Sequence, residues 1–412
     1  MDHQPRPLDG ITVTSIEQAV AAPLATRQLA DLGARVIKIE RPGGGDFARR
    51  YDDAVNGLSS YFAWLNRSKE SVVLDLKSEP GREILHALIA RSDVFVHNLG
   101  PGAAERLGVD EPTVSARYPR VVSCTISGYG TEGPWSTRKA YDLLVQAETG
   151  LLSVTGTPDT PSRCGVSIAD IAAGVYAFSG VLSALFHRLA HGETRSVSVS
   201  LFDALSEWMG APDFYSRHSG EVPQRVGAQH STIAPYGPFD VDDGSPVVIA
   251  VQNDIEWRAF CVSVLELPEL AGDPRFLHNV GRVRERAELN AIIQRRFRSL
   301  SRENVVARCE HARIAYADIR SVQELASHPS LVGRDRWRQF ESPIGPIQGL
   351  VPPASLKGIE PRFDPLPSAG KHTIAILSEL GHTTEVIDRL LQDGAVQSSD
   401  DEKGALHGPH RH

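Results

Sequence analysis

Cysteine is scarce: the chain has four in 412 residues, at 124, 164, 261 and 309, and no two form a C-x-x-C pair. Thiols this few and this scattered do not make a disulfide framework or a zinc site, and a reducing, cytoplasmic setting is expected. Long apolar runs are also missing. The longest, within 171–186, is broken by Gly174, Ser179, Gly180 and Ser183 and is too short to span a bilayer. MDHQPRPLDG has no apolar signal core, so neither membrane insertion nor export is expected. Positive charge is not in excess: 43 Lys and Arg stand against 51 Asp and Glu, a net charge of -8. The basic residues form no stripe, which argues against nucleic acid as a partner and means that an anionic ligand must be held locally. Familiar cofactor motifs are absent as well. The turn after the first β-rich run reads EQAVAAPLAT, without the glycines that let a backbone approach a pyrophosphate, so NAD is not expected. The chain also lacks a phosphate loop, a G-x-S-x-G elbow and an H-E-x-x-H metal pair.

Up to about Leu201, short β-rich runs alternate with helical patterns: ITVTSIE, PLATRQLADLG, RVIKIER, SVVLDL, GREILHALIARS, VFVHN, VVSCTISGY and SVSVSL. This alternation predicts an α/β fold with a doubly wound, mainly parallel sheet. From about Val222 the texture changes. GPFDVDDGSPVVIAV predicts a hairpin turning at Asp242-Asp243-Gly244, and IEWRAFCVSVLEL, RERAELNAIIQRRFRSL and SRENVVARCEHA predict three helices. The expected organisation is a large domain over 1–221 and a smaller α+β domain over 222–335. A Pro/Gly-rich extended connection with two short helices follows over 336–396, then a disordered tail over 397–412.

SIADIAAG, residues 167–174, sets Asp170 at the mouth of a nearly uncharged helical stretch. Aspartate is a good N-cap, a task that Ser167 could share. A helix N-terminus also favours an ionised carboxylate, which is a nucleophile. Both readings stay open on local sequence. Arg41, Lys77, Arg106 and Lys139 fall at predicted strand ends or loops, with Asn98 at another strand end. Singly they are ordinary surface charges; together they could hold a phosphorylated ligand beyond the carboxyl edge of the sheet. Tyr141-Asp142 reads either as an oxyanion donor pair or as a packed and capped helix start. His230, in GAQHSTIAPYGPF, is a lone loop histidine.

In order, PLDGITV, LADLGARVIKIERPGGGD, LNRSKESVVLDLK, DVFVHNLGPGAAERLG, SGYGTEGPW, KAYDLLVQAETG, SIADIAAGVYA, IAPYGPF and VVIAVQND resemble the class III coenzyme A transferases, whose members include formyl-CoA transferase. The resemblance covers nearly the whole chain except the tail. It implies a Rossmann-like large domain, a smaller α+β domain and an interlocked homodimer. It also implies coenzyme A and acyl-CoA as substrates, no permanently bound cofactor and no metal. Asp170 is then the nucleophile, forming first a mixed anhydride and then an aspartyl-CoA thioester. Ala19, Val20, Arg41, Leu74, Lys77, Asn98, Leu99, Arg106, Lys139 and Tyr141 match the positions that line the coenzyme. Formyl-CoA transferase has a glutamine where this chain has Val20, and a glycine-rich loop that GAQHSTIAPYGPF lacks. Those departures point away from oxalate and toward C4 and C5 dicarboxylates, with His230 reading the remote carboxylate. Two alternatives remain open: an α-methylacyl-CoA racemase, whose histidine before the matching aspartate is Tyr141 here, and a noncatalytic acyl-CoA-binding protein.

Overall fold

A computed structural model describes residues 4–399, and the expected tail beyond Ser399 lies outside the described residues. The chain divides into two units, one gathering Met1–Thr149, Gly165–Met209 and Asp335–His412, the other Gly150–Cys164 and Gly210–Arg334. The second unit therefore takes in a short upstream segment and begins at Gly210, ahead of the boundary expected at 222.

The first unit is built on six parallel strands: β1 (Thr12–Ile16), β2 (Arg35–Glu40), β3 (Lys69–Leu74), β4 (Val94–His97), β5 (Val122–Ser127) and β6 (Val197–Ser200). Their lateral order is 3-2-1-4-5-6. Strands such as VFVH are buried on both faces, which is why they read as apolar runs without strand-type alternation. The order reverses between β1 and β4, opening a crevice at their carboxyl ends. Val396–Gln397 adds antiparallel to β3, pairing with Leu74 and Val73. The ordered chain thus runs past 396, into the start of the expected tail.

Three helices shape the crevice: α1 (Ala21–Asp31), α2 (Asp142–Glu148) and α3 (Ile168–His191). The small residues of SIADIAAG explain how α3 lies so close to α1. A Cβ added at Gly174 would sit 2.7 Å from the Ala21 carbonyl oxygen and 3.1 Å from Leu24. Ala172, Ala173, Ala177, Val181 and Ala184 continue this buried face. By length and composition α3 could cross a membrane; one face is packed, while Val175, Phe186 and Leu189 are exposed.

The second unit has its own core around Trp257, Phe260, Phe276 and Phe297. Tyr236–Asp240 and Pro246–Ala250 pair antiparallel, with Gly244 in their turn at φ +81, and Ala315–Asp318 completes the sheet. Two sequence expectations change. IEWRAFCVSVLEL is α-helical only over Asp254–Ala259 and widens into a π-helical turn over Phe260–Leu265. The connection in the first unit is not wholly extended: Trp337–Phe340 and Ile347–Leu350 form a hairpin closed by Ser342 and Gly345, which the Pro/Gly content masks.

Candidate active site

The crevice begins at the turn between β1 and α1. Asn98, just beyond β4, reads that turn with both ends of its amide. Its Oδ1 accepts from the Gln18 N–H at 3.0 Å and its Nδ2 donates to the Gln18 carbonyl at 2.8 Å. Ala19 follows at φ +63, in the left-handed region, and Val20 starts α1 with no side-chain cap. The first-turn amides of α1 and the helix dipole are therefore directed at the crevice. Val20 is buried with Leu24 and Leu65, and Ala19, Tyr61 and Ile171 pack against them. This cluster brings the turn to the residue that follows Asp170.

Asp170 occupies the first turn of α3, yet it does not cap the helix. Ser167 stands at the N-cap position without a side-chain bond. The cap comes from α2, where Asp142 Oδ1 accepts from the Ala169 N–H at 2.8 Å and the Asp170 N–H at 3.3 Å. Asp142 Oδ2 in turn accepts from Gln146 at 2.7 Å. The Asp170 carboxyl is pushed up from 3.8 to about 7, first by burial and then by the charge of Asp142. The helix end favours the ionised form, while burial and the neighbouring Asp142 act against it. Tyr51 senses the same cluster. Its hydroxyl is raised to about 12 by burial and by Asp46, Asp170, Tyr141 and Tyr61, and its ring meets Tyr61 edge-on at 5.6 Å.

Beneath the turn lies a buried charge network that the sequence reading missed. Glu17 Oε1 is 2.6 Å from Lys69 Nζ and 3.4 Å from Lys38 Nζ, and Lys38 Nζ is 2.7 Å from Asp46 Oδ2. Both lysines also donate to Asn66 Oδ1 at 3.1 Å. Thr26 donates to Glu17 Oε2, and Lys69 reaches the Pro23 carbonyl in the first turn of α1. Burial would raise the Glu17 carboxyl, but the two ammonium groups outweigh it and hold it below its usual range. Two carboxylates face two lysines, a balance of formal charge, although burial outweighs Glu17 at Lys69 and lowers its ammonium to about 7. The available signal was a lysine and a glutamate inside a β-rich run, VIKIE.

The remaining candidates fall as follows. Arg41, Lys77 and Asn98 follow the carboxyl ends of β2, β3 and β4, on one edge of the sheet, and Lys139 lies in the loop between β5 and α2. Arg41, Lys77, Arg106 and Lys139 are exposed; Arg41 Nε donates to the Gly45 carbonyl at 3.0 Å. Leu99 is half-buried and lines a cavity of about 620 Å³ with His97 and Thr125. Leu74 is fully buried in the core with Ile37, Ile39 and Val72, so its side chain cannot meet a ligand. Tyr141 stands exposed at the start of α2. His230 lies in the second unit, its ring stacked on Tyr236 at 5.2 Å and its Nδ1 accepting from the Thr232 N–H. Burial and Arg286 keep it below the usual histidine range.

This arrangement pairs a partly desolvated carboxylate with an uncapped helix end and an edge of basic side chains, a fit to a thioester carrying phosphates. The chain is 31% identical over 399 residues to succinate–glutarate CoA-transferase of Agrobacterium fabrum, covering 94% of this chain and 98% of that one. It is 35% identical over 331 residues to acetyl-CoA:oxalate CoA-transferase of Acetobacter aceti, covering 80% and 85%. The crystal structure of a CAIB/BAIF family protein from Brucella suis superposes with a TM-score of 0.79 at 33% identity, over 92% of this chain and 100% of that one. Residues 8–373 match CoA-transferase family III, and the chain, with its carboxylate at the crevice and its sheet order, belongs to that family.

Proposed function

We propose that this CoA-transferase moves coenzyme A between C4 and C5 dicarboxylic acids, with Asp170 as the nucleophile. The observation that carries the mechanism is the placement of Asp170: partly desolvated, at a helix start, packed beside the uncapped end of α1. The ionised carboxylate attacks the thioester carbonyl of the donor and breaks its C–S bond, giving a mixed anhydride and the CoA thiolate. The thiolate then attacks the aspartyl carbonyl of the anhydride, forming an aspartyl-CoA thioester and releasing the donor carboxylate. An acceptor carboxylate attacks that thioester, and the thiolate returns to the acceptor carbonyl, freeing Asp170. Amides at the start of α1 suit the oxyanion of each tetrahedral intermediate. Water must be kept from the anhydride, and the apolar walls of Val20, Leu65 and Ile171 serve that end.

Arg41, Lys77, Arg106 and Lys139 are proposed to hold the phosphates of coenzyme A. The substrate class rests on the succinate–glutarate relative. The oxalate-acting relative, at 35% identity, gives no support to excluding oxalate, which belongs in the acceptor panel. The exposed apolar side chains of α3, Val175, Phe186 and Leu189, support an association of two chains as the working form. The test is mass spectrometry in D2O with succinyl-CoA, 2-methylacyl-CoA and a panel of mono- and dicarboxylic acids. Glutaryl-CoA or another new diacid ester is the expected product. Deuterium at Cα of 2-methylacyl-CoA with no new ester would overturn the reading in favour of racemisation.

A further inference from the structure

The Gln18–Val20 turn packs toward the Asp170 end of α3, and its shape is imposed from outside. Asn98 holds both backbone groups of Gln18, and the Glu17 side chain is anchored below by Lys69, Lys38 and Thr26. The next donor along the chain, the Ala19 N–H, goes to Asp46 Oδ1 at 3.2 Å. Ala19 keeps φ +63, a conformation that a residue with a Cβ holds only where its neighbours compel it. Asp46 is itself immobilised. It is buried, its Oδ2 pairs with Lys38, its Oδ1 also accepts from the Ala48 N–H at 2.9 Å, and its own N–H donates to Glu40 at 2.9 Å.

We propose that Asp46 is a positioning residue for CoA transfer: by holding the Ala19 amide it fixes the left-handed turn that presents the start of α1 to Asp170. The proposal rests on the aspartyl mechanism above. Asp46 touches no substrate in this scheme. Losing its oxygen lets Ala19 relax to negative φ, which rotates the peptide leading into Val20 and misaligns the first amides of α1. The acyl-CoA contacts along the basic edge are untouched.

The experiment compares kcat and KM for acyl-CoA in the native protein, Asp46→Ala, Asp46→Asn, and Asp46→Ala combined with Ala19→Gly, with melting curves for each. Asp46→Ala is expected to lower kcat about a hundredfold, the scale of a small misplacement, with KM moving less than about threefold. Asp46→Asn keeps an oxygen for the Ala19 amide but turns its Nδ2 toward Lys38, so it is expected to melt lower than native while staying within about tenfold of native kcat. Glycine at 19 adopts positive φ without penalty and restores about fivefold of the loss. Should Asp46→Ala not fold, Ala19→Pro, which locks φ negative and leaves the Lys38–Asp46 pair in place, is expected to show the same kcat loss. An Asp46→Ala or Ala19→Pro protein with kcat within twofold of native overturns the proposal. So does a loss shared equally by Asp46→Asn and not relieved by glycine. Native protein that makes no new acyl-CoA overturns the transfer mechanism itself, and this proposal with it.

Discussion

Replacing Asp170 by asparagine keeps the shape of the side chain and removes its charge, and the consequence for stability has a definite sign. In the folded chain the carboxyl titrates near 7, against 3.8 for an unperturbed aspartate. Below about pH 4 both folded and unfolded chains carry the proton, and the carboxyl contributes no pH dependence. Between about 4 and 7 the folded chain holds a proton that the unfolded chain has lost, so raising the pH destabilises the native protein. Above 7 both states are ionised and the deficit is level. At about 1.36 kcal/mol per pH unit the gap corresponds to as much as roughly 4 kcal/mol, and to about 2 kcal/mol if the surroundings relax around the charge. Asparagine has no such deficit. Urea unfolding of the native and Asp170→Asn proteins at pH 4, 6 and 8 should show the variant gaining steadily on the native chain, then levelling. A difference that stays constant with pH, or a native protein that gains on the variant at pH 8, would refute the burial argument.

The same titration governs catalysis: kcat/KM should rise with pH to a plateau above about 7 and fall about tenfold per unit below it. Asp142→Asn keeps the oxygen that caps α3 and removes the charge beside Asp170, so the inflection should move to lower pH; an unmoved profile excludes Asp142 as a cause. Gly174→Ala pushes a Cβ onto the Ala21 carbonyl and should destabilise by about 1–3 kcal/mol, read as a lower melting temperature; an unchanged melt means α1 and α3 are not in close contact. Arg41→Ala should weaken acyl-CoA binding by about tenfold while leaving the fold intact, and an unchanged titration curve removes Arg41 from the coenzyme site.

The alternation of buried strands and helices is legible because a parallel sheet needs strands that are apolar on both faces, and VFVH and VVSCTIS have no other economical reading. Asp170 is legible only as one of two things, a helix cap or a free carboxylate, and the structure gives the cap to Asp142 instead. The charge network is not, because its members are brought together by register. Lys38 lies between Ser15 on β1 and Ser71 on β3, and only that pairing turns a lysine that reads as a strand's solvated face into the buried partner of Glu17 and Asp46. Leu74 fails as a ligand contact for a related reason, since strand alternation sends its side chain into the core.

The charge state of Asp170 is hidden from local sequence in the same way, since the like charge that acts on it, Asp142, comes from another helix. What the short stretch displays is a helix N-terminus, which lowers a carboxyl; what the fold adds is burial and a like charge, which raise it. These opposing influences have one chemical outcome. A carboxylate that is hard to ionise is poorly solvated once ionised, and little water has to be stripped from it before it attacks a thioester. The cap that Asp142 supplies to α3 frees Asp170 from that duty, so the residue that local sequence offers as a cap is left with an oxygen available for chemistry.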